Sequence, residues 1–198
     1  MSRWRHFLQL EGPRLAVLSA ICVTIVALEL GGDAWRLALR YERVAIEHAE
    51  LWRLVTGHFV HFGWRHAALN LVGLGLMWAL FCDDYQWRQW LIILGAAILA
   101  IDAGFWFLEP RLAWYVGLSG VLHGIMGAGT WAHLRRRDWD AWILAAFVVG
   151  KLVWEQTHGA LPLSGTEERM HVIVAAHLYG ALGGWLAALW LRPRPRPL

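Results

Sequence analysis

Six apolar runs divide this chain, and they leave few folds open to it. They lie at about 14–30, 66–81, 90–108, 116–134, 139–154 and 171–191. A hydrocarbon layer about 30 Å thick takes roughly 20 apolar helical residues to cross, with about 17 to 25 tolerated. Hydrophobic residues make up 58% of the chain and charged ones only 17%, where soluble domains average about a quarter charged. The expected fold is an all-α membrane protein, a single domain over 1–198 with six transmembrane helices. No linker or second composition regime interrupts it.

The polar residues at the ends of the runs agree. Fifteen tryptophans suit a chain with two membrane interfaces, where indole rings settle. The net charge is +3, but the arginines lie at segment ends and form no stripe, so no nucleic acid partner is expected. Cys22 and Cys82 have neither metal-ligand spacing nor a disulfide framework. The N-terminal residues precede a span-length run without a clear small-residue cleavage site, so a cleaved signal peptide is not expected.

Arginines also suggest an orientation. Arg3, Arg5, Arg14, Arg88, Arg135, Arg136, Arg137, Arg192, Arg194 and Arg196 fall on one face if six spans alternate. Arg36, Arg40, Arg43, Arg53, Arg65, Arg111 and Arg169 fall on the other. The compact 135–137 cluster and the Arg-Pro tail favour the first face as cytoplasmic. Both termini are then inside, and the 31–65 connection lies outside. Its stretch EHAELWRLVTGHFVHFGWRH mixes aromatic, apolar and charged residues. An interface-embedded loop and an ordinary amphipathic loop both fit that mixture.

Within run four, Gly117-Leu118-Ser119-Gly120-Val121-Leu122-His123-Gly124 places a serine between glycines. His123 follows one helical turn on, on the same face. Ionisable groups inside a membrane are costly unless paired or functional. Helices two, four and six all enter from outside, which puts His66 and His171 at the mouths of helices two and six, Asn70 and Ser119 about one turn in, and His123 and His177 about two turns in, so that Ser, His and Asn meet in the outer third. A serine needs a base in reach to act as a nucleophile, and histidine titrates in the useful range. Two residues one turn apart on one helix oppose each other poorly, whereas His177 comes from another helix. The Ser119 N–H, the Asn70 amide and the His66 ring are candidate oxyanion donors.

Each residue also has a structural reading. Ser119 with Gly120, Gly124, Gly180 and Gly184 would let helices four and six approach closely, and Asn70 could bridge helices. His123 could be a second base, a substrate contact or a packed polar group. His58, His61, Asp102 and Glu29 lie near the same side. Asp102 is expected to pair with a histidine or an arginine that the sequence does not name. No carboxylate lies near His177 in sequence, so a two-residue site is expected.

These residues carry a resemblance. Trp52-Arg53, His61, His66 and Asn70 in HAALN, GLSG around Ser119, and Ala176-His177 followed by Gly180 and Gly184 come in the order and spacing of the rhomboid intramembrane serine proteases. The resemblance covers about 51–190 and most of helix one. It implies a Ser119–His177 catalytic dyad, with His66 and Asn70 serving the oxyanion. It also implies a six-helix rhomboid-like bundle with a membrane-embedded outer loop anchored by Trp52-Arg53, and a gate formed by helix five and the loop after it.

His123-Gly124 extends the serine motif to GxSGxxHG, which resembles the compact bacterial rhombosortase subgroup. That resemblance implies substrates that are exported proteins ending in a Gly-Gly-type motif, a transmembrane helix and a basic tail. It implies a bacterial inner-membrane location with the site near the periplasmic side, and no cofactor. Two other readings stay open: an inactive rhomboid-like protein that holds membrane helices, and a metal- or haem-binding membrane protein. Against the second, the histidines form no compact ligand pattern and no cysteine or carboxylate joins them at ligand spacing.

Overall fold

In the computed structural model, residues 3–160 and 173–195 are described, with side chains from residue 12 onward. Six long helices occupy the six apolar runs: α1 (Arg3–Leu30), α5 (Trp64–Phe81), α6 (Trp87–Leu108), α7 (Ser119–Arg136), α8 (Ala141–His158) and α9 (Val174–Trp190). Between α1 and α5 lie three short ones: α2 (Gly32–Leu39), α3 (Arg43–Glu47) and α4 (Arg53–Thr56). Among the described residues, Gly12–Leu30 and Trp87–Leu108 are long and apolar enough to cross a membrane by length and composition. The others are broken up by polar groups or shorter. The start of helix six expected at His171 lies outside the described residues, as does Arg169.

Several boundaries differ from expectation, three of them near features that matter here. α1 continues through Pro13 to Arg3, although an interior proline removes a ladder bond and crowds the preceding turn. α7 begins at Ser119, not at 116, because Gly117 takes φ +118° and its N–H donates to the Gly57 carbonyl at 3.0 Å. α8 runs past the expected end at 154 to His158. The fold is also not purely helical. β1 (Tyr41–Glu42) pairs antiparallel with β2 (Trp114–Tyr115), Tyr41 opposite Tyr115. This two-residue ladder ties the outer connection to the segment that leads into Ser119.

The core is apolar, with Ile25, Phe81, Ile93, Ile101 and Phe105 fully buried, and the exterior is apolar too, unlike that of a soluble domain. α7 is the central helix, buried along Gly120–Thr130 despite His123 and Thr130. The outward faces are apolar: Phe107 is 76% exposed and Trp142 77%. Apolar patches on soluble monomers are rarely larger than a few hundred Å². α8 touches the bundle by one narrow stripe, with Ala141, Val148 and Glu155 buried.

Glycines set the α7–α9 distance. A β-carbon on Gly180 would lie 2.0 Å from the Gly120 carbonyl oxygen, and one on Gly184 would lie 2.0 Å from that of Gly124. The small-residue faces expected on helices four and six are therefore in backbone contact, as small-xxx-small interfaces allow.

Arginines hold the outer connection. Arg53 donates to the carbonyls of Leu37 at 2.9 Å and Arg40 at 3.0 Å and pairs with Glu50 at 2.7 Å. Arg43 reaches the end of α6, donating to the carbonyls of Phe105, Glu109 and Leu112. On the surface of this connection, Arg40 grips Glu42 with two hydrogen bonds of 2.9 Å. That hold keeps the Glu42 carboxyl below the usual carboxylate range. At the opposite end of the bundle, Arg14 is buried and donates to the Cys82 carbonyl, and Arg136 pairs with Asp84 at 2.7 Å.

Candidate active site

The site forms where α7 and α9 begin. Ser119 is the first residue of α7 and His177 the fourth of α9. The glycine contacts bring those two helix starts together. Ser119 Oγ lies 3.0 Å from His177 Nε2, within the reach a nucleophile and its base require. His177 is 3% exposed.

The other ring nitrogen corrects an expectation. His177 Nδ1 lies 2.9 Å from Glu155 Oε2, so a carboxylate does stand behind the histidine. Glu155 was hidden because the expected helix five ended at 154, and because its partner lies 22 residues away. The Lys151-Glu155 spacing was the available signal, since residues four apart share a helix face. Lys151 Nζ donates to Glu155 Oε1.

His123 does not face the serine hydroxyl. Its Nδ1 donates to the Ser119 carbonyl, one turn back, at 2.7 Å. Its ring stacks on His177, with centroids 4.0 Å apart and planes 12° apart. Of the three roles left open, this geometry is that of a packed polar partner. Its Nε2 is buried without a hydrogen bond and lies 3.9 Å from Glu155 Oε2.

His66 lies against the loop before the serine: a β-carbon on Gly117 would fall 2.8 Å from His66 Cε1. Only glycine allows that approach at this backbone angle. The Phe62 N–H donates to His66 Nδ1 at 3.3 Å, so the neutral ring carries its proton on Nε2 and can donate from there. Asn70, 4% exposed, donates to the His66 carbonyl on its own helix at 3.0 Å. An amide nitrogen has two hydrogens, so one donor remains.

Two more histidines back this wall. His61 Nε2 accepts the Leu118 N–H at 3.4 Å, and its ring stands edge-on to His66. Burial and the neighbouring His66 hold His61, in the connection outside the long helices, far down at about 3. It is neutral at ordinary pH. His58 supplies the partner of Asp102 that the sequence left unnamed, at 3.3 Å.

His123, Glu155 and His177 also bring one ligand atom each within 4.8 Å of one another. The expectation that no carboxylate joins the histidines is therefore wrong in space. Yet Glu155 and His177 already share a hydrogen bond, and an ammonium group lies on the same carboxylate. A cation would have to displace both.

Comparison with known proteins gives the family. The Rhomboid domain family matches residues 48–194, which include every residue of the site. The rhomboid protease GlpG of Serratia proteamaculans is 26% identical over 183 residues, covering 90% of this chain and 63% of its own length. The chain thus spans less than two thirds of that relative. The putative rhomboid protease YdcA of Bacillus subtilis is 22% identical over 152 residues, covering 77% of this chain and 73% of its own. With the family's domain matched over residues 48–194, most of this chain and the whole site, the chain belongs to the rhomboid family.

Proposed function

We propose that this protein is an intramembrane serine endopeptidase. The observation that carries the reading is the 3.0 Å approach of Ser119 Oγ to His177 Nε2 across two helices. Family membership and the apolar exterior support it. Ser119 attacks the scissile carbonyl as His177 Nε2 takes the hydroxyl proton, forming the new O–C bond. His177 returns that proton to the leaving amine as the C–N bond breaks. Water then repeats the sequence on the acyl-enzyme. His66 Nε2–H, the free Asn70 hydrogen and the Ser119 N–H are the donors for the oxyanion.

The six long helices are six spans in this reading, with both termini cytoplasmic, the 31–63 connection embedded in the outer leaflet and the site open to the periplasm of a bacterial inner membrane. The substrates are membrane-anchored exported proteins, those with a C-terminal Gly-Gly-type sorting tail, in line with the GxSGxxHG pattern of the rhombosortase subgroup. The test is co-expression with reporters bearing such anchors. Cleavage by the wild type and none by Ser119→Ala is expected. Cleavage by Ser119→Ala would overturn the mechanism. Cleavage of other membrane anchors but not these would overturn the substrate class.

A further inference from the structure

We propose that Glu155 is the positioning carboxylate of a three-helix Ser119–His177–Glu155 relay, with Lys151 and His123 as its supports. The inference rests on the protease reading above and goes beyond a two-residue site.

The location of Glu155 is the first argument. α8 meets the bundle along Ala141, Val148 and Glu155, and the rest of its surface is largely apolar and outward-facing. The Glu155 side chain is 0% exposed. A buried carboxylate is expensive unless each oxygen is paired. Here each one is: Oε2 faces His177 Nδ1 and Oε1 accepts from Lys151. A glutamate on the one inward stripe, with one oxygen committed to the histidine, has no role in holding α8 that an apolar residue would not fill better.

Tautomer is the second argument. An ionised carboxylate only accepts hydrogen bonds. With Glu155 behind Nδ1, the neutral ring carries its proton on Nδ1. The lone pair on Nε2 then faces the Ser119 hydroxyl, the form a general base needs. Without Glu155 the proton can sit on either nitrogen, and the Nε2–H form cannot accept from serine. Lys151 donates to the second oxygen, so only Oε2 is presented to the ring. The Nδ1 proton stays on His177 throughout, while the Nε2 proton alone moves from Ser119 to the leaving amine.

The plane of the ring is fixed as well. Glu155 fixes His177 at one edge. His123 covers its face at 4.0 Å and is itself tied to the Ser119 carbonyl. The histidine of the extended serine motif thus clamps the base to the helix that carries the nucleophile.

The test uses the full-length protein in detergent micelles and a fluorophosphonate probe, whose labelling of Ser119 needs no knowledge of the natural substrate. The maximal labelling rate and the probe concentration at half-maximal rate are measured for wild type, Glu155→Gln and Glu155→Asp. Ser119→Ala is the blank. In a serine protease the tautomer error from replacing the equivalent carboxylate by its amide costs about 10⁴-fold in rate. Glu155→Gln is expected to lower the maximal rate by about 100-fold or more with the half-saturating concentration within twofold. Glu155→Asp, which keeps the charge, is expected to recover part of the loss.

A Glu155→Gln protein that melts like wild type and labels within threefold of its rate would overturn the inference while leaving the protease reading intact. A wild type that neither labels at Ser119 nor cleaves would overturn the reading itself, and the inference with it. Should the variants not fold, ¹⁵N spectra of histidine-labelled Ser119→Ala protein decide instead. An Nδ1–H signal assigned to His177 is expected at neutral pH, and an Nε2–H signal would overturn the inference.

Discussion

Gly184 of α9 meets Gly124 of α7 backbone to backbone: a β-carbon on Gly184 would lie 2.0 Å from the Gly124 carbonyl oxygen. Backbone cannot retreat as a flexible side chain can. Gly184→Ala must push the two helices apart, and with them Ser119 from His177. Overpacking of a tight interface costs about 1–3 kcal/mol. The expected outcome is a lower melting temperature and a tenfold or greater loss of fluorophosphonate labelling at Ser119. Gly95→Ala, where a β-carbon meets nothing within 4 Å, is expected to melt and label like wild type. Equal behaviour of the two variants would refute this account.

The oxyanion donors predict a different signature. His66 and Asn70 sit on α5 and touch neither the serine hydroxyl nor its base in the described contacts. Their loss is expected to slow chemistry in a bundle that still folds. His66→Ala should lower kcat by about 10²–10³-fold, the usual cost of one such donor. KM should hold, and the melting temperature should fall modestly, because the Phe62 N–H loses its acceptor. A change confined to KM would assign His66 to substrate binding instead.

Arg53 bridges three parts of the outer connection and is only 7% exposed. Its removal leaves the Leu37 and Arg40 carbonyls and the Glu50 carboxylate without their partner. Unsatisfied buried polar groups cost about 1–3 kcal/mol each. Arg53→Ala is therefore expected to open the connection without unfolding the helical bundle, a local event. Limited proteolysis should cut between residues 31 and 62 in the variant and not in wild type. Arg53→Lys should rescue only in part, because one ammonium cannot reproduce the guanidinium fork.

A metal reading of His123, Glu155 and His177 makes the opposite forecast from the relay. If the three held a catalytic ion, chelation would abolish activity. With Lys151 on the carboxylate and a hydrogen bond already joining Glu155 to His177, EDTA or 1,10-phenanthroline is expected to leave Ser119 labelling within twofold. Loss of labelling that added Zn²⁺ restores would reverse the assignment.

Much of this was legible residue by residue. The long helices follow from runs of apolar residues, a local property. Ser119 and His177 could be paired from sequence because both lie near the starts of runs crossing in the same direction. Asp102 was recognisable as needing a partner, but His58 lies 44 residues away, and only the fold brings a loop histidine to α6. The strand pair Tyr41–Tyr115 was invisible because two residues carry no alternation to detect.

Glu155 marks the division most sharply. By itself the sequence determined where the six long helices lie, though not the three short ones between α1 and α5, that polar groups cluster toward one end of three of them, and that the glycines of helices four and six could let those helices touch. It did not determine how α8 is turned about its axis. That helix is apolar along most of its length, and the Lys151–Glu155 pair marks a shared face without saying that it turns inward. Contact with the neighbouring helices chose the stripe Ala141, Val148, Glu155. That rotation, a tertiary decision, set a carboxylate 2.9 Å behind His177.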